Sequence, residues 1–210
     1  MSGSAPGARA RGTYRHGDLR RALIEAGIEL ARAGGPDAVV LREATRRAGV
    51  VPNAAYRHFA SRQALLQAVR AAALSALAVA IEAELAAQPA EAGIEGARAG
   101  LRAVGTAYLR FALSETGLFR TAFAAPDALG PAKAGSAGLG PFELLSAALD
   151  RLAAAGGLPT ERRPGAEYLA WSAVHGLAML AIDGMLRRRP DAAPLHELGQ
   201  RLIDMVEKGL

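Results

Sequence analysis

Apolar residues recur along most of this chain at steps of three and four, the period of a helix with one buried face. Runs of Val, Ile and Thr that would mark strands are few. The first helical run, Leu19, Leu23, Ala26, Leu30 and Ala33, follows Asp18, placed as its N-cap, and stops at Gly34-Gly35-Pro36. There a glycine can take the left-handed cap and the proline forbids continuation. A short second helix covers about residues 41–48 and ends at Gly49, and a third begins near Pro52, whose missing N–H costs nothing in a first turn. Ser61 caps a long Ala- and Leu-rich run that Gln88-Pro89 closes.

Five further helices are expected. One covers residues 94–114, with Leu101, Val104, Tyr108 and Phe111 on one side, and a short one covers 117–124 with Phe119 and Phe123. Residues 125–140, rich in Gly, Ala and Pro, read as a loop before Pro141 opens a helix through Leu144, Leu145, Leu149 and Leu152. The last two cover about 164–187 and 193–208. The fold class is therefore all-α, a three-helix N-terminal domain with a helix-turn-helix and a larger helical domain. The expected division is a flexible arm at 1–12, a helix-turn-helix domain at 13–62 and a helical domain at 63–210.

Charge changes the picture when it is split along the chain. Residues 1–70 carry 12 arginines against 5 acids, a net +7, whereas residues 71–210 carry 13 basic and 15 acidic residues, a net −2. A basic front on a near-neutral body suits a polyanion-binding module joined to a domain that binds something else. Cysteine is absent, which excludes disulfides, thiolate metal sites and thiol redox sensing. The longest apolar stretches, around 71–81 and 169–182, read as roughly half a bilayer span. With no secretory pattern in the first residues, the expectation is a cytoplasmic protein that does not span a membrane.

A short helix, a glycine turn and a third helix make the layout of a DNA-reading helix-turn-helix, although a plain helical hairpin would share it. Gly49 can adopt the positive φ of the turn, and Ala44 and Ala48 let the helices cross closely. Val50, Ala55 and Phe59 are expected inside, leaving Asn53, Ala54, Arg57 and His58 outside. Arg9, Arg11 and Arg15, ahead of the first helix, could enter a flanking minor groove.

The stretch VLREATRRAGVVPNAAYRHFASRQALL, residues 40–66, resembles the DNA-binding domain of the TetR family of bacterial repressors, through Arg42-Glu43, Ala48-Gly49-Val50, Tyr56-Arg57-His58-Phe59, Ser61 and Leu65. The shorter AWSAVHGLAML, with Trp171, His175 and Gly176, resembles a Trp-His-Gly type of regulatory domain found in part of that family. The resemblance implies phosphate contacts by Tyr56, His58 and Arg62, which set register and affinity, and base contacts by Arg42, Pro52, Asn53 and Ala54. Arg suits the two acceptors of guanine, Asn suits adenine, and Pro or Ala can touch a thymine methyl. It also implies a homodimer through the last two helices, a palindromic double-stranded operator and release by a small-molecule effector. Two positions depart from the family pattern. Val51 and Val40 stand where hydroxyl residues are common, so the third helix loses its capping hydrogen bond.

No metal spacing, phosphate loop or nucleophile elbow accompanies the four histidines, and no cofactor, metal site or enzymatic role is expected. Tyr108, Phe111, Phe119, Phe123, Trp171, His175 and Met179 could wall an apolar effector pocket, or could be plain core with His175 bonded internally. Ser172 and Gly176 form a small-residue strip suited to a partner helix. The competing reading from another class is a helical adaptor whose basic end docks an acidic protein.

Overall fold

The computed structural model describes residues 16–124, 135–136, 138–188 and 194–209. The arm at 1–12, Arg9, Arg11, Arg15 and much of the 125–140 loop lie outside these residues. Nine α-helices and no strands occur among the described residues. They are α1 (His16–Gly34), α2 (Leu41–Arg47), α3 (Pro52–Tyr56), α4 (Arg62–Ala86), α5 (Gly93–Ser114), α6 (Thr116–Ala122), α7 (Pro141–Ala154), α8 (Ala166–Ile182) and α9 (Leu195–Gly209).

The first helix starts earlier than its sequence signal suggests. Asp18 lies inside α1, so it is not the N-cap. The periodic face is as expected: Leu19, Leu23, Ala26 and Leu30 are buried and meet Leu41, Ala44, Ala55 and Phe59 in one core. Ser61 does cap α4, its Oγ accepting from the Ala64 N–H at 3.2 Å. The helix from 164 to 187 is shorter than its pattern. Gly184 takes a φ of 76° and breaks the α-helical path, leaving a tight turn over Met185–Arg188.

Helix α4 joins the two halves, packing on α1 at one end and on α5, α6 and α7 at the other. At 25 residues it is long and apolar enough to cross a membrane by length and composition, which the shorter apolar run read from the sequence understates. Its apolarity has a packing cause: Leu65, Val69, Leu74, Leu77 and Ile81 are all buried in the core. The buried Arg70 on the same helix donates from Nε to the Ala122 carbonyl at 3.0 Å, fastening α4 to the end of α6.

Candidate functional site

The turn between α2 and α3 is built as its sequence requires. Gly49 has a φ of 68°, and the Ala48 N–H returns to the Ala44 carbonyl at 2.9 Å, ending α2 within one residue of the glycine. Ala44 has no exposed surface, consistent with close crossing. Helix α3 then leaves Pro52, Asn53, Tyr56 and Arg57 exposed, while Ala54 and His58 are half-buried and Ala55 and Phe59 face inward. Tyr56 is 59% exposed, a high value for a residue type whose ring is usually at least half covered. At the head of α2, Arg42 is exposed as well.

The N-termini of both helices lack side-chain caps. Val40 and Val51 hold the N-cap positions in extended backbone, and neither side chain can accept a hydrogen bond. Electrostatics nearby favour an anion. Arg46 grips the Glu43 carboxylate through two nitrogens at 2.9 and 2.6 Å, and these bonds, led by Arg46 and joined by Arg47, hold Glu43 down at a pKa of about 2. The acid is thus neutralised within α2, and Arg42 and Arg57 keep the surface positive. Arg62 is placed less simply. Its guanidinium donates to the carbonyls of Val39 at 2.9 Å and Pro36 at 2.7 Å, tying the first turn of α4 to the segment ahead of α2, with the side chain still 43% exposed.

In the larger domain the structure gathers Tyr108, Phe119, Phe123, Trp171 and His175 into one ring cluster. The Tyr108 and Trp171 centroids lie 5.0 Å apart, Phe119 and Phe123 4.9 Å, and Phe123 and His175 5.0 Å. Tyr108 and His175 share a 2.7 Å hydrogen bond between the phenol oxygen and Nδ1. Burial pushes the Tyr108 phenol far up and the His175 imidazole down, so at neutral pH the bond is shared between a neutral phenol and a neutral ring. Phe111 is buried but touches no other ring among the described residues, and Met179 is half-buried against the core. Phe142, which sequence reasoning did not assign, joins from α7 at 5.7 Å from Trp171.

These rings fill the space between them. The opening beside Tyr108 and Trp171 has a volume of about 30 Å³, room for a water or two. A much larger cavity, about 510 Å³, lies elsewhere, among α5, α8 and α9. Ile203 stands between the two.

A basic helix-turn-helix with an exposed reading helix, carried on a larger helical domain, defines the class: a DNA-binding regulator with a separate regulatory body. A family model described as "Bacterial regulatory proteins, tetR family" matches residues 23–69, and one described as "Tetracyclin repressor-like, C-terminal domain" matches residues 101–206. The chain belongs to the TetR family of bacterial regulatory proteins, a family of ligand-responsive, DNA-binding transcriptional regulators. Among solved structures it is similar to a protein of unknown function from Rhodococcus sp. RHA1, with 29% identity, a TM-score of 0.75, and coverage of 95% of this chain and 99% of that one. It shares its fold with a TetR family transcription regulator from Marinobacter aquaeolei VT8, at 16% identity and a TM-score of 0.60 over 90% of this chain and 94% of the other. A variant of TetR from Acinetobacter baumannii AYE, in complex with minocycline, likewise shares the fold, at 20% identity and a TM-score of 0.56 over 90% and 91% of the two chains. No curated protein matches the chain.

Proposed function

We propose that this regulator is a cytoplasmic repressor that binds a palindromic operator as a homodimer and leaves it when a small molecule occupies the larger domain. The observation carrying the DNA-binding part is the exposed edge Arg42, Pro52, Asn53, Tyr56 and Arg57 on a basic helix-turn-helix. Tyr56, His58 and the exposed edge of Arg62 contact phosphates, and Arg42, Pro52, Asn53 and Ala54 face base edges in the major groove. Two such heads must sit about 34–36 Å apart, or a multiple of it, so the half-sites are related by the protein's two-fold axis. The working division is the arm at 1–12, the DNA-binding domain at 13–62 and the regulatory domain at 63–210.

The dimer forms through α8 and α9. Leu169, Ser172 and Leu180 are exposed on α8, a Cβ on Gly176 would meet nothing within 4 Å, and Met205 is exposed on α9. An apolar strip with small residues at its centre suits close packing against its own copy. Trp171 and His175 lie on the opposite, ring-bearing side of α8, which fits the Trp-His-Gly resemblance as a device that rigidifies the regulatory core.

Helix α6 connects the two domains. Arg120 reaches Asp183 at the end of α8 at 2.7 Å, and Glu115, next to its start, pairs with Arg32 of α1 at 2.9 Å. A shift of α8 is thereby felt at α1. That effector control is the mode of action is supported by the family and by the minocycline held in the similar Acinetobacter structure.

The test is a mobility-shift titration against DNA selected from a random pool. Tyr56→Phe combined with His58→Ala is expected to weaken binding to every selected sequence by about 30- to 150-fold, two phosphate hydrogen bonds at roughly 1–1.5 kcal/mol each. Unchanged affinity at moderate salt overturns the phosphate assignment.

A further inference from the structure

Among the described residues a large open space lies not between the aromatic rings but among α5, α8 and α9. We infer that the 510 Å³ cavity there is the binding site for a neutral, largely apolar small molecule carrying one or two hydrogen-bonding groups. The inference rests on the ligand-responsive reading above and gives that ligand a place and a chemistry.

The cavity lies where three helices converge, with Ala178 and Ala181 of α8 and Gly199 of α9 in its lining. Gly199 lets α9 come close to α5 there, since a Cβ on it would lie 3.1 Å from Leu109 Cδ1. The cavity's volume lies inside the roughly 300–1,000 Å³ range of sites for drug-sized molecules, and it opens to solvent past the exposed Arg110, Leu113, His196 and Gln200. Leu109, Leu113, Leu177 and Ile203 supply an apolar wall. The neighbouring gap near Tyr108 is far too small for any such molecule.

Polarity then narrows the class. Thr106, His196 and Gln200 line the same cavity, and among the described residues none of their side chains has a hydrogen-bond partner. His196 and Gln200 are exposed at the mouth and Thr106 is half-buried, so they offer exchangeable, water-facing groups beside the apolar wall to a ligand with a polar end. The charged group, Arg110, is already committed: its Nη2 lies 2.6 Å from the Glu84 carboxylate. An anionic ligand would have to break that pair, so a neutral molecule is favoured.

The site is within reach of the regulatory contacts. Ala181 precedes by two residues Asp183, the partner of Arg120 on α6. A molecule that spreads α8 from α5 bears on that ion pair.

The test uses the full-length protein and Nile red, a neutral apolar dye. A saturable rise in fluorescence with one dye per chain is expected. In spectra of methyl-labelled protein, the signals of Leu113, Leu177, Ala181 and Ile203 should move with occupancy, while those of Leu144 and Leu149 stay in place. Ala181→Phe, which fills the cavity, should weaken the dye by about tenfold or more. If that variant loses its helical circular dichroism, Leu113→Trp at the exposed rim provides the same block without core strain, and Gln200→Leu tests the polar end. Dye binding that shifts only Leu169 and Leu180, on the proposed dimer strip, or no binding up to the dye's solubility, overturns the site. Dye that occupies the cavity but leaves operator affinity unchanged sustains the site and refutes effector control instead.

Discussion

Replacing Val51 with threonine should stabilise the protein, an unusual expectation for a family position beside the reading helix. Val51 is the N-cap of α3, with φ of −72° and ψ of 144°, already the extended geometry a capping residue adopts, but its side chain offers no acceptor. Threonine keeps the β-branched shape and exchanges one methyl for a hydroxyl that can accept from the Asn53 N–H, the Ala54 N–H already donating to the Val51 carbonyl at 3.0 Å. Val51 is 68% exposed, so about a third of that methyl's burial is at stake, a loss of about 0.3 kcal/mol from roughly 0.8 for full burial. A cap hydrogen bond contributes about 1 kcal/mol. The net gain is about 0.7 kcal/mol, or about 2 °C in melting temperature for a chain of this size. Urea unfolding should show a higher midpoint at constant slope, together with slower amide exchange at Asn53. Ser61→Ala, which removes a cap that is present, sets the scale by losing about 1 kcal/mol. If Val51→Thr leaves the midpoint unchanged, or raises it without slowing the Asn53 amide, the capping account of α3 is wrong.

Three other substitutions probe separate joints of the structure. Gly117→Ala would drive a Cβ into the Ala31 carbonyl oxygen and to 2.6 Å from that of Arg32, backbone atoms that cannot easily yield, and should cost about 1–3 kcal/mol in thermal or urea unfolding. Leu169→Glu, on the exposed strip of α8, should shift sedimentation toward monomer at micromolar concentration while helical content stays the same. For His175, burial lowers the folded-state pKa below 6.5, so the unfolded chain binds the proton more readily. Stability from this group is complete above pH 6.5 and declines as pH falls through the folded value. Urea midpoints taken from about pH 7.5 down to about pH 5 should drop in the wild type, and His175→Gln should remove that part of the drop.

The helices were legible because their signals are local. Leu19 to Leu30 repeat at helical steps, Gly49 marks a turn that only a positive φ can make, and Ser61 sits before a long apolar run and caps it. Boundaries failed where a local signal had competition. Asp18 looks like a cap, yet α1 continues through it from His16, and the apolar pattern from 164 to 187 gives no warning that Gly184 will leave the helix. The ties made by Arg62 to Val39 and by Arg70 to Ala122 were out of reach for a different reason. Each joins residues far apart in sequence, and an arginine in a basic helix reads as a solvent or phosphate group until its carbonyl partner is known.

The aromatic residues show where such reading stops altogether. Their spacing correctly brings Tyr108, Phe119, Phe123, Trp171 and His175 to one place, but spacing carries no information about the volume left between side chains. Rings at centroid separations of 5.0 Å with a 2.7 Å hydrogen bond among them are a filled core. The open space instead lies among α5, α8 and α9, where the small residues Ala178, Ala181 and Gly199 signal from the sequence only that helices can come close. Whether helices at such positions close on each other or leave a gap is decided by the third helix, here α5, whose Leu109 and Leu113 line the far wall of the cavity. Helical spacing therefore says which faces are apolar, and only the placement of α5 against α8 and α9 decides where a gap is left.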